Sequence, residues 1–348
     1  MRRGKPREQA RHIVKITLYM YNTPTRIFYI AGDETMDITI LLGLQDFRNG
    51  IGSCLADFMA KMTYLGELNT VLAIMAIIYW CFSKEYGTYM MMGWSGNRLM
   101  NGALKVTACA YRPWIRDSRI IPYGNSMTTA TGYSFPSGHT MNGTTVFGSA
   151  VVRKDLPRVL RILAAIVMVL IAFSRIYLGV HTPQDILVGM AAGLLVMGLT
   201  VLLMRWVAEH PGKDWIVACA GIVLAAAVAV YATVKSYPED FDANGKLLVD
   251  GAKMANDTLK GASWCAAFLI GWILERRFVG FTTEVTMIRR LTRLITGLLC
   301  FYAVTLVLVP LIKDRIGGPA GVMISCFFQM LFISFIFPLC IKRFEKAQ

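Results

Sequence analysis

Nine runs of mostly apolar residues are spaced along this 348-residue chain, and they limit what it can fold into. They are Leu68–Ser83, Tyr89–Tyr111, Thr140–Val152, Val159–Val180, Thr182–Val207, Trp215–Val234, Gly261–Leu274, Leu294–Ile312 and Ala320–Ile341. A helix needs roughly 20 such residues to cross the hydrocarbon core of a bilayer. The third and seventh runs are short and need their flanks to reach that length. In lipid the backbone must satisfy its own hydrogen bonds, so runs of this length point to helices. Composition agrees, with 55% hydrophobic and 17% charged residues, against about 45–50% and 25% in soluble domains. The expected fold is all-α, a polytopic transmembrane helix bundle.

Met36–Tyr64 is ambiguous. It contains the apolar stretch Ile38–Leu44, but Gln45, Asp46, Arg48, Asn49 and Asp57 suit an interfacial amphipathic helix better than a lone span. The head carries Arg2, Arg3, Lys5, Arg7, Arg11 and Lys15, and Asn22, Pro24 and Arg26 interrupt the stretch from there to Tyr29. That pattern lacks a signal-peptide core and cleavage site, so insertion through the chain's own helices is expected. The eight cysteines show no paired spacing and mostly sit in apolar runs, where they read as small hydrophobes rather than disulfides or a zinc site.

The net charge of +14 is distributed as a membrane protein distributes it. Lys and Arg punctuate the apolar runs instead of forming a stripe interleaved with aromatics, so nucleic acid is not an expected partner. Arg153, Lys154, Arg158 and Arg161, then Arg205 and Lys213, then Arg276, Arg277, Arg289, Arg290 and Arg293, and finally Lys342, Arg343 and Lys346 occupy alternate loops. The positive-inside rule assigns those loops to the cytoplasm. The opposite side is then extracytoplasmic or lumenal, and includes Lys235–Lys260, where acids match the lysines. Nine spans would also leave the basic head on that side, unless Met36–Tyr64 crosses.

Three separated motifs fall on the extracytoplasmic side: Lys105-x6-Arg112-Pro113, Pro136-Ser137-Gly138-His139, and Ser174-Arg175-x5-His181-x3-Asp185. Lys105 and Arg112 are two helical turns apart and are expected on one face, with Pro113 ending the helix at Arg112. Alone, such a pair reads as snorkelling cations. Ser137 and Gly138 at a helix start can aim a hydroxyl and backbone N–H groups at an anion. His181 and Asp185, spaced i,i+4, can meet so that the acid takes the Nδ1 proton and leaves Nε2 free to attack. A helix-start Asp is also a common cap. Two of only four histidines sit in these motifs. Arg98 and Asn101 lie in the second run near the Lys105 face and are expected to make a polar contact within the bundle.

At every defining position these strings resemble the tripartite signature of the type 2 phosphatidic acid phosphatase superfamily, over about Lys105 to Asp185. The resemblance implies a metal-independent membrane phosphatase with no cofactor, acting on a lipid phosphate or pyrophosphate. It implies His181 as nucleophile, Asp185 orienting it, and His139 as general acid and then base. Lys105, Arg112, Arg175, Ser137 and Gly138 would hold the phosphoryl oxygens. Isoprenoid pyrophosphate is the favoured substrate class, sphingoid or glycerolipid phosphate the second. Phosphotransfer to a lipid acceptor is a further alternative, and a non-enzymatic transport or scaffold role fits least. Three regions are expected: a basic and interfacial segment at 1–65, the phosphatase core at 66–210, and about four extra spans at 211–348. The last can form a substrate groove, a homodimer surface or an unrelated module. The expected location is the plasma membrane, as a multi-pass protein with the site on the extracytoplasmic face.

Overall fold

A computed structural model describes residues 34–346, so the basic head and the side it occupies lie outside the described residues. Among those residues the regular structure is helical, apart from an isolated antiparallel bridge between Phe241 and Leu247. Each expected apolar run lies in a helix, give or take a few end residues. Among the described residues, five helical stretches are long and apolar enough to cross a membrane: Arg158–Tyr177, Pro183–Glu209, Asp214–Val234, Met287–Ile316 and Gly318–Glu345. The chain is therefore an integral membrane protein. Its eight cysteines are all free.

The other four runs differ because of where they pack. The helices Lys84–Ala108 and Gly251–Leu274 are buried along much of their length, so bundle neighbours rather than lipid surround their polar residues. They cross at small residues, as membrane helices often do to bring backbones together. A Cβ on Gly102 would lie 2.9 Å from Thr258 Cγ2, and one on Gly261 would lie 3.1 Å from the Arg98 carbonyl oxygen. The short helix beginning at Gly138 runs on to Val151 in the same interior. Leu68–Phe82 meets Cys54–Gly66 at a 55° bend, and the two together are long and apolar enough for one broken span. The interfacial helix expected over Met36–Tyr64 is thus two helices, Glu34–Ile51 and Cys54–Thr63, the second leading into that bend.

The Lys84–Ala108 helix has 25 residues, about 37 Å at 1.5 Å per residue, and it separates two chemically different ends. Near Lys84 a cavity of 800 Å³ is lined by Arg153, Arg205 and Arg276 among others. Lys105 and the three motifs are at the opposite end.

The turn joining Leu68–Phe82 to Lys84–Ala108 requires glycine at position 87, where an added Cβ would stand 2.4 Å from Tyr79 Cα. The obstacle is backbone, which cannot rotate aside. Gly87→Val should therefore lower stability by about 1–3 kcal/mol or more, read as a lower midpoint of thermal unfolding in detergent. An unchanged midpoint would contradict this packing.

Candidate active site

Lys105 and Arg112 do not share a helix face. The helix ends at Ala108, where Cys109 takes a left-handed conformation (φ 47°) and donates its N–H to the Lys105 carbonyl. Arg112, before its proline, is extended (φ −65°, ψ 152°), as the clash of the following ring with a helical backbone demands. The helix thus stops four residues before Arg112, and the chain then turns back so that Arg112 reaches inward. Its Nε donates to the Gly132 carbonyl (3.0 Å), Nη2 to the Thr131 carbonyl (3.1 Å), and Nη1 to the Val180 carbonyl (2.9 Å) and to His181 Nε2 (2.9 Å). Lys105 donates to the carbonyls of Tyr133 (2.7 Å) and Ser134 (3.3 Å). Both cations thus grip the stretch of chain that leads into the second motif.

That second motif starts a helix whose N-cap is Ser137, with the hydroxyl accepting from Thr140 N–H at 3.4 Å. Ser137 N–H donates to the Asp185 backbone carbonyl (3.0 Å), which joins the second motif to the third. His139 Nε2 is buried and has no hydrogen-bond partner among the described residues. Close by, a Cβ on Gly66 would lie 3.3 Å from His139 Cβ, so the bend after Cys54–Gly66 forms one wall of the site.

In the third motif, Thr182 caps the helix Pro183–Glu209, and its hydroxyl and the Asp185 carboxylate form a reciprocal capping box. The same carboxylate oxygen that accepts from Thr182 N–H (2.8 Å) also meets His181 Nδ1 at 3.2 Å. One carboxylate oxygen of Asp185 thus both caps the helix and contacts the His181 ring. Arginine only donates, so Nε2 facing Arg112 carries the lone pair and Nδ1 carries the proton. Arg175 is fully buried and its Nη1 donates to Thr63 Oγ1 (2.6 Å). Its Nε and Nη2 are buried without a partner among the described residues. Buried donors of a cation that the protein leaves unpaired are costly, and they suit an anion.

Several contributors have no signal in the sequence. Ser134 Oγ donates to Asp185 Oδ2 (2.5 Å) and lies 3.3 Å from His181 Nδ1. Thr63 holds Arg175 across more than a hundred residues. Each is defined by a partner distant in the chain, which no local spacing reveals. Asn101 does make the expected contact within the bundle, donating to the Pro136 carbonyl at 3.1 Å.

Burial first, and the Arg112 charge second, hold His181 well below the ordinary imidazole range, with Asp185 pulling the other way. Burial brings Arg112 down to about 10, opposed by Asp185, so it stays charged at neutral pH. The site thus pairs a neutral imidazole with a permanent cation.

Two family models match the chain: the PAP2 superfamily over residues 68–209, and the PAP2 superfamily phosphatase transmembrane extension over residues 259–348. Phosphatidylglycerophosphatase B of Bacillus subtilis is 32% identical over 181 residues, covering 49% of this chain and 81% of that protein. Undecaprenyl-diphosphatase of Sulfolobus acidocaldarius is 38% identical over 71 residues, 20% of this chain and 34% of that one. The crystal structure of a transmembrane PAP2-type phosphatidylglycerolphosphate phosphatase from Bacillus subtilis is 26% identical, covers 56% of this chain and 96% of that one, and superposes with a TM-score of 0.43. The chain is a membrane-embedded phosphoric-ester hydrolase, and it belongs to the PAP2 superfamily.

His181 should remain neutral, with its proton on Nδ1, at pH 6.5, where an ordinary histidine is about half protonated. The unfolded chain takes up a proton near that pH and the folded site does not, so acidification through about pH 6.5 costs stability through this group. Histidine-selective ¹⁵N NMR of the protein in detergent, assigned by loss of the signal in His181→Ala, reads the tautomer directly. Protonation of His181 above pH 6.5 would refute this electrostatic picture.

Proposed function

We propose that the chain hydrolyses a lipid-linked phosphate, an isoprenoid pyrophosphate in the first place, through a phosphohistidine on His181. The observation that carries this reading is the placement of His181, with Nδ1 against Asp185 and Nε2 facing the Arg112 guanidinium. An imidazole so held presents a lone pair at the point where a cation can also hold a phosphoryl oxygen. The substrate's terminal phosphate would take over the Arg112 donor now on Nε2 and the unpaired donors of Arg175. Lys105 has a third ammonium proton beyond its two carbonyl contacts, and Ser137, which accepts through its oxygen, still has a hydroxyl proton to give. With the Gly138 N–H these groups would neutralise charge that grows in the transition state.

Attack by Nε2 forms an N–P bond as the bond from phosphorus to the bridging oxygen breaks. The electron pair goes to that oxygen, which takes a proton from His139, charged in the complex because the bound anion offsets the burial and the arginines that otherwise keep it neutral, and departs on the lipid phosphate. Water then attacks the phosphohistidine, His139 removes its proton, and the N–P bond breaks to release inorganic phosphate. Among the described residues no group of three or more His, Cys, Asp or Glu side chains comes together to hold a metal. The charge neutralisation is assigned to the three cations Lys105, Arg112 and Arg175.

Isoprenoid pyrophosphate is supported by the relative named an undecaprenyl-diphosphatase. A glycerolipid phosphate is the second reading, favoured by the Bacillus subtilis relative named a phosphatidylglycerophosphatase. The extracytoplasmic plasma-membrane location rests on charge, since arginines gather around the cavity near Lys84 and the motifs occupy the other end.

His181→Ala should reduce phosphate release from lipid phosphates by at least about a thousandfold in protein that still elutes as a folded species. EDTA should leave the wild-type rate within about twofold, and vanadate should inhibit by adopting the five-coordinate geometry of the phosphoryl centre. Turnover retained in His181→Ala, or a rate abolished by chelator and restored by Mg²⁺, would refute the mechanism. For location, Asn125 is exposed on the loop between the first two motifs. A cysteine placed there should react with a membrane-impermeant maleimide on intact cells, and reaction only after permeabilisation would put the site on the cytoplasmic side.

A further inference from the structure

Arg98 stands two helical turns before Lys105, as Lys105 stands seven residues before Arg112. Its contact within the bundle is with an aromatic ring and not a hydrogen bond. Its side chain forms no hydrogen bond with any described residue, and its Nε is buried and unpartnered. The guanidinium carbon lies 5.6 Å from the centre of the Trp264 ring, a cation–π arrangement that orients the planar fork without using its N–H donors. Trp264 is itself pinned, its Nε1 donating to Gln329 Oε1 at 3.1 Å. The nearest acid on that helix, Asp257, is already held by Lys253 (3.1 Å) and Lys260 (2.6 Å).

The fork faces the second motif. A Cβ on Gly138 would stand 3.8 Å from Arg98 Nη1 and 3.6 Å from Asn101 Oδ1, immediately beside His139. A half-buried arginine whose side-chain donors the protein does not use, beside the helix start that carries His139, is placed to meet an anion at Gly138. Arg112 and Arg175 are held differently, Arg112 on the His181 ring and Arg175 on Thr63.

We propose that Arg98 is the anion-holding residue of a second phosphoryl subsite beside Gly138, which takes the phosphate that remains on the lipid when a pyrophosphate is cleaved. The C-terminal extension builds this subsite, because the helix Gly251–Leu274 supplies Trp264 and meets the Arg98 carbonyl closely at Gly261. The inference rests on the pyrophosphate reading and goes beyond it by assigning specificity to a residue outside the three motifs. A monophosphate engages Lys105, Arg112 and Arg175 and leaves Arg98 unpaired. A pyrophosphate pairs both sets, and its second phosphate accepts from a planar fork.

The test uses the full-length protein in detergent with farnesyl diphosphate and farnesyl phosphate as paired substrates. The quantity read is the ratio of kcat/KM for the diphosphate to that for the monophosphate. In Arg98→Gln this ratio should fall about ten- to a hundredfold, the size expected for a lost charge-assisted bidentate contact. Arg98→Met keeps the stem beside Trp264 and should give the same fall, and it decides the question if the Gln variant is not recovered folded. Arg98→Lys, with charge but no fork, should restore part of the ratio. A wild-type enzyme that cleaves the diphosphate together with an unchanged ratio in the variants would overturn the subsite alone. Equal losses on both substrates would overturn it too, by making Arg98 a general scaffold residue. Wild-type turnover of the monophosphate only would overturn the pyrophosphate reading and the subsite with it.

Discussion

Asp185 Oδ2 accepts hydrogen bonds from three directions: Ser134 Oγ, His181 Nδ1 and Thr182 N–H. Its own backbone carbonyl accepts from Ser137 N–H. Through these bonds one residue aligns the helix start of the third motif, the histidine before it, and the loop that enters the second motif. The first motif joins through Arg112, which donates to the Val180 carbonyl and to His181 Nε2. A carboxylate so deeply buried, 2% exposed, is tolerable only because every approach to that oxygen is a donor. Were the carboxylate replaced by an apolar group of the same shape, Ser134 would lose its acceptor and the Nδ1 proton of His181 its partner.

That arrangement solves a problem of charge in a lipid-embedded protein. Arg112, Arg175 and Asp185 are all nearly excluded from solvent, and an unpaired ion in such surroundings costs several kcal/mol. The fold limits the cost in two ways. Carbonyl oxygens take most of the Arg112 donors and two of those on Lys105, which holds the cations without neutralising them. Donors that remain unpaired are on Arg175, and on Arg98 beside Gly138. Positive charge is therefore retained, oriented and incompletely satisfied near the motifs, which is the condition the proposed phosphate site relies on.

The C-terminal extension takes part in this more directly than its distance in sequence suggests. Lys253 donates to Thr131 Oγ1 at 2.9 Å, and the carbonyl of that same Thr131 accepts from Arg112. Trp264 also packs on Trp94 with ring centres 5.5 Å apart, and Trp94 Nε1 bonds Asn142 in the helix that carries His139. The helix Gly251–Leu274 is thus a central member of the bundle and shares an interior with the motif-bearing helices. Its low share of lipid-facing surface explains how it accommodates Asp257 and Lys260.

The sequence by itself determined the helices and the chemistry. Runs of apolar residues long enough for lipid leave the backbone no alternative to helix, and three spaced strings of His, Arg, Lys and Asp marked the family and meet in the fold. It was silent on which runs face lipid and which form the interior, because an apolar side chain buried against a neighbour reads the same as one buried in hydrocarbon. It misplaced the partnership of Lys105 and Arg112, since helical periodicity is a local rule and the left-handed turn at Cys109 ended its reach. Only the tertiary structure brought Ser134 to Asp185, Thr63 to Arg175 and Trp264 to Arg98. Each of those contacts joins segments whose proximity depends on how the helices cross, and crossing angles are set by packing across the whole bundle rather than by any local spacing.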